Sequence, residues 1–129
     1  MADNKTLLNA FYTQLNDLVK EMISIIPGDA NLRVAKNSIK LVENNTPELL
    51  IKLWKHYVGK YKEQIDNGDF DYFLNKDYSE DIANTEGSDA IIVAINNIRN
   101  PIKEMSEHNK AMSLKYIQNI TKLSFMYKA

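Results

Sequence analysis

The sequence predicts an all-α protein, a single-domain bundle of five or six helices spanning residues 1–129, with an acidic loop near 75–88. Three observations carry that prediction. Apolar residues recur at steps of three and four along most of the chain, the spacing that lines one face of a helix. Pro, Gly and Asn interrupt the pattern where helices would end. No stretch alternates apolar and polar residues as a half-buried strand does. A chain of 129 residues suits one domain. It can bury roughly two-thirds of its unfolded surface without a metal or disulfide staple.

The first helix carries Leu8, Phe11, Leu15, Leu18, Met22 and Ile25 on one face, and Pro27-Gly28 stops it. Asp29 is placed to cap the second helix, whose stripe is Leu32, Ala35, Ile39 and Val42 and which Asn44-Asn45 ends. Thr46-Pro47-Glu48 then reads as an N-cap, a first-turn proline and an acid at the positive helix end. Leu50, Leu53, Trp54, Tyr57, Tyr61 and Ile65 form the third stripe. Gly59 interrupts it at a cost of about 1 kcal/mol relative to Ala. Asn67-Gly68 is a stop.

A short helix near 69–75 holds Phe70, Tyr72, Phe73 and Leu74, and a polar loop follows to about residue 87. Ser88-Asp89 caps the next helix, with Ile91, Ile95, Ile98, Ile102 and Met105 as its stripe. Pro101 must kink or break that helix, because its ring removes a donor and crowds the preceding turn. The last helix is expected to bury Met112, Tyr116, Ile120, Leu123 and Tyr127.

The formal net charge of −1 conceals a division. Residues 1–65 carry +2, residues 66–89 carry −7 and residues 90–129 carry +4. The acidic segment, with Asp66, Asp69, Asp71, Asp77, Glu80 and Asp81, is a candidate surface for a basic partner. Lys110, Lys115, Lys122 and Lys128 form a candidate basic face, with no acid after Glu107. The plainer reading is that the two segments pair with each other inside one molecule. Near-neutrality argues against a protein that grips nucleic acid over its whole surface, though not against a local basic face.

Catalytic signatures do not appear. Without cysteine there are no disulfides, thiol nucleophiles or Cys-ligated metals. The four glycines never cluster into a phosphate-cradling loop. The acidic residues lack the spacing of a calcium-binding EF-hand loop. His56 and His108 lack the second histidine of a zinc motif and any marked catalytic partner. No cofactor, metal ligand set or small-molecule substrate is indicated. Asn109 and Asn119 fall where a buried amide could set the register of a helical self-association. The longest apolar run, Ala90–Ile95, is far short of the roughly 20 residues of a membrane span. The N-terminus has no signal-peptide pattern. An intracellular, cytoplasmic protein is expected.

Ile26-Pro27, Asn44-Asn45-Thr46-Pro47 with Leu50, the stretch Tyr72 to Tyr78, and Lys115 to Asn119 with Leu123-Ser124 occur in that order. In this arrangement the chain resembles the small helical proteins of giant nucleocytoplasmic large DNA viruses. Asn, Ile and Lys make up a third of the residues, which suits an AT-rich genome of that kind. The resemblance implies a viral protein of the infected-cell cytoplasm or the virion, and no activity. The expected function is non-enzymatic: a helical interaction or scaffold protein that binds a protein partner or itself through helix faces and segregated charge. The alternative is nucleic-acid or anionic-membrane binding through the basic C-terminal helix, whose lysines accompany Tyr116, Phe125, Met126 and Tyr127.

Overall fold

A computed structural model describes residues 3–75 and 88–128, leaving aside the side chains of Tyr72 and of residues 88–90. Every regular element among the described residues is helical. In order these are α1 (Asn4–Ile25), α2 (Ala30–Asn45), α3 (Pro47–Leu53), α4 (Lys62–Asp66), α5 (Asp71–Asn75), α6 (Ser88–Lys103) and α7 (Glu107–Met126). A π-helical turn, Trp54–Val58, and a 3-10 turn, Gly59–Tyr61, join α3 to α4 without a break. With Pro47–Asp66 taken as one rod, the described residues hold six helices, as predicted. Most of the acidic loop expected near 75–88, and the cap expected of Ser88-Asp89, fall outside the described residues and side chains.

Local signals set the helix ends. The Asp3 carboxylate accepts the Thr6 N–H at 2.8 Å, and this bond holds its pKa below the ordinary value. Asp29 accepts the Asn31 N–H at 2.8 Å, as its position predicts. Gly68, at φ 86°, supplies the left-handed turn after α4. Thr46 departs from expectation, because its side chain makes no cap bond. Its backbone serves both helices instead. Its N–H closes α2 on the Val42 carbonyl, and its own carbonyl accepts the Leu49 N–H. α6 runs through Pro101 and ends two residues later at Lys103, and Ser106 starts α7 by accepting the Asn109 N–H. The expected break at Pro101 is therefore not found: the proline lies inside α6, which continues past it.

α1 lies chiefly on α7 and α2 chiefly on α6, while α1 and α2 also meet. Phe11, Trp54 and Phe73 are fully buried between these pairs, with Trp54 centred 6.1 Å from Phe11 and 5.7 Å from Phe73. Each such side chain contributes about 1.5–3 kcal/mol by leaving water. Arg99 of α6, which the sequence does not mark as a core residue, reaches inward and donates to the Phe73 carbonyl at 3.1 Å. That bond ties α5 to α6.

The stripes of α1 and α2 bury much as predicted, with Leu8 and Ile25 only half-buried. Two other stripes are rotated. In the third rod Tyr57 and Tyr61 are half-buried, and Val58 and Gly59 are buried in their place. The cause is the π turn, in which the Gly59 N–H bonds the Trp54 carbonyl five residues back. The wider turn shifts the phase of everything after it. In α7, Met112, Tyr116 and Leu123 are half-buried, whereas Ser113, Leu114, Ile117, Ile120, Thr121 and Ser124 are buried. Small polar residues line that inner face. Ser124 returns its hydroxyl proton to the Thr121 carbonyl at 2.6 Å, and Thr121 does the same to Ile117 at 2.8 Å.

Candidate functional site

The predicted basic and acidic residues are placed differently from one uniform pole each. At about 100° per residue, Lys115 and Lys122 lie within about 20° of each other on α7, but Lys110 is about 140° from Lys115. Lys115 and Lys122 are exposed, and Lys110 is half-buried. Lys128 lies beyond the helix, where its backbone is held at both groups by the Asn4 side chain. Among the acids, Asp66, Asp69 and Asp71 are exposed, and Asp77, Glu80 and Asp81 lie outside the described residues. The one salt bridge among the described residues joins Lys62 and Asp66, one turn apart on the same rod. No carboxylate among the described residues lies within 4 Å of the four lysines singled out in the sequence.

The structure adds a second set of cations to that end of α7. Lys52, Lys55, Lys60 and Lys62 belong to the interrupted third rod, which touches α7. Phe125 lies among them. Its ring rests on the backbone of Gly59, and Lys62 Nζ is 5.7 Å from its centre, a cation–π distance. A Cβ at position 59 would meet Phe125 Cε2 at 2.6 Å, so this approach requires glycine. Phe125 nevertheless remains 42% exposed and its neighbour Met126 48% exposed.

Phe125 forms a ridge between three open grooves. The largest, about 760 Å³, runs past Met126 and Lys128 to Asn4 and Leu7 of α1. A second holds Lys52, Lys55 and Lys60, with His56 at its edge. The third holds Lys60 and Lys62 and ends at Asp66. Lys55 is fixed by donating to the Tyr127 carbonyl at 2.8 Å, and Lys60 lies 5.5 Å from the Tyr57 ring centre. The result is an apolar centre with cations around it and three acids along the grooves, Asp3 in the first and Glu63 and Asp66 in the third.

This face rests on a rigid base. Trp54, at the start of the π turn, donates its indole N–H to Thr121 of α7 at 3.1 Å. Gln118 of α7 donates to the Ile65 carbonyl at 2.9 Å. The two bonds fix the rod against α7 on the buried side of Phe125. Spacing along α7 alone shows the lysines that neighbour Phe125 in sequence. Lys52, Lys55 and Lys60 become its neighbours only through packing.

The remaining sequence candidates stay apart from this face or at its edge. His56 is exposed, its ring edge-on to Tyr57 at 4.6 Å between centres, and His108 is exposed on α7. Asn119 is exposed and Asn109 half-buried. Among the described residues no group of three or more His, Asp or Glu is placed to hold a metal ion. No helix among them is long and apolar enough to cross a membrane. The chain matches no protein-family model, no curated protein and no solved structure.

Proposed function

We propose that this chain is a non-enzymatic interaction protein that binds an acidic protein surface through the lysine-rimmed face around Phe125. The observation that carries this reading is Phe125 itself, an aromatic ring two-fifths exposed between Lys52, Lys55, Lys60 and Lys62. Burying Phe125 and Met126 supplies the apolar gain, and the lysines select an acidic partner and orient it. On the giant-virus resemblance, the setting of that contact is the infected-cell cytoplasm or the virion.

The test is fluorescence anisotropy with a short labelled peptide that alternates Glu with Leu and Phe. Binding should weaken about tenfold or more in Phe125→Ser, a loss of at least about 1.4 kcal/mol. A Lys analogue of the peptide should not bind. Equal affinity for the two peptides would refute the reading. A second reading, a nucleic-acid strand or anionic membrane on the same face, is favoured by the exposure of Lys115 and Lys122 on the adjoining surface of α7. Single-stranded oligonucleotides and anionic vesicles, titrated with salt, separate it from the first.

A further inference from the structure

Among the described residues, charge of both signs lies without an ion-pair partner along one edge of this surface. The groove of Lys60, Lys62 and Phe125 ends at Asp66. From there the chain turns through Asn67 and Gly68, and the Asp69 N–H returns to the Gln64 carbonyl at 2.8 Å. Asp69 is thus held against the end of α4, and Asp71 follows, its N–H on the Asp69 carboxylate at 3.3 Å. Both are exposed. Neither lies within 4 Å of a described cation, and Lys52 and Lys60 likewise have no described carboxylate at that distance. These carboxylates begin the segment 66–89, which carries −7 in sequence. A basic apolar face and an acidic edge are therefore neighbours on one molecule.

That arrangement complements itself. A two-fold axis beside Phe125 would bring each acidic edge onto the other molecule's lysines and bury the two Phe125–Met126 pairs near the axis. In a two-fold contact every pairing occurs twice, so one patch of each sign suffices. The net charge of −1 leaves little overall repulsion between copies. We propose that a second copy of this chain occupies the Phe125 face, as a symmetric dimer held by reciprocal contacts of Lys52 and Lys60 with the Asp69–Asp71 edge. This inference rests on the proposed function and names the acidic partner as the chain itself.

The experiment is sedimentation equilibrium on the full chain and two charge-reversed variants, Lys52→Glu/Lys60→Glu and Asp69→Lys/Asp71→Lys. All four positions are exposed, so helical content and unfolding midpoint should stay close to those of the parent, which controls for misfolding. The parent should dimerise, and its affinity should fall about tenfold or more between about 50 mM and about 500 mM salt. Each variant alone should be monomeric, because like charges meet in both halves of its contact. An equimolar mixture should dimerise again. There the reversed face of one chain meets the reversed edge of the other, and the second half of the contact keeps its native pairing. A monomeric parent at low salt, or a mixture that stays monomeric while the parent dimerises, overturns the proposal. If the parent is monomeric yet still binds the acidic peptide, self-association fails and the acidic-partner reading stands. If it does neither, both fail.

Discussion

The indole N–H of Trp54 meets the hydroxyl of Thr121 at 3.1 Å in the buried interior, 67 residues apart in sequence. Thr121 in turn donates to the Ile117 carbonyl, so its one hydroxyl both accepts and donates. This pair holds the π turn on α7 and so positions the Phe125 face above it.

Thr121→Val keeps the shape and removes the acceptor. It leaves a buried indole N–H unpaired and should cost about 1–3 kcal/mol. Thr121→Ser keeps the hydroxyl and loses one methyl, which should cost about 1 kcal/mol. Chemical denaturation followed by the emission of the single tryptophan reads both. Equal losses would show that the hydrogen bond contributes nothing.

Gly59 and Phe125 should be energetically coupled. Alanine at 59 gains helix propensity of up to about 1 kcal/mol but collides with the Phe125 ring. Because that ring is the outer end of a partly exposed side chain, it can swing away, and Gly59→Ala should be close to neutral. With the ring removed in Phe125→Ala, the same substitution should stabilise by about 0.5–1 kcal/mol. A double-mutant cycle measures the difference, and strict additivity would mean that glycine is not needed for the approach of the ring.

Tyr12 should give the fold a distinct response to alkali. Burial holds its phenol well above the ordinary value, with Glu43 and Glu48 pushing the same way, and its hydroxyl donates to the Pro47 carbonyl at 2.7 Å. A phenol whose folded pKa is raised contributes stability that is fully present below its unfolded value of about 10. That stability is lost as pH rises towards the folded value, since the unfolded chain ionises first. Tyr12→Phe should cost about 1 kcal/mol at neutral pH through the lost hydrogen bond. Its stability should then decline less steeply than the parent's above about pH 10. Parallel declines would show that Tyr12 does not set the response.

The helical pattern was legible because α1 and α2 follow simple periodicity. Phe11, Leu15, Leu18 and Met22 are buried as their spacing requires. Pro27-Gly28, Asp29 and Gly68 mark real ends. Two physical features hid the rest. The π turn at Trp54–Val58 changes the helical phase, which fixed spacing does not anticipate, so spacing points to Tyr57 and Tyr61 where the core takes Val58 and Gly59. On α7 the inner face uses Ser113, Thr121 and Ser124. Small polar side chains pair with nearby carbonyls and let helices approach, but an apolar count passes over them. Their spacing with Ile117 and Ile120 is helical, and admitting small residues to the stripe would have found the correct face.

The binding face was legible in part. Lys122, Phe125 and Lys128 are neighbours in sequence, so the basic end of α7 could be read directly. Lys52, Lys55 and Lys60 are more than sixty residues away and reach Phe125 only because Trp54 and Gly59 dock on α7. Burial of long-range contacts, and not local pattern, assembled that half.

Mapping where an acidic ligand lands on the chain tests whether the Phe125 face binds it. The amide resonances of the isotope-labelled chain would be followed as the Glu-Leu-Phe peptide is added. The largest shifts should fall at Lys52–Lys62 and Leu123–Lys128, and α2 should stay unchanged. Shifts centred on α2, or none at saturating peptide, would contradict binding at that face.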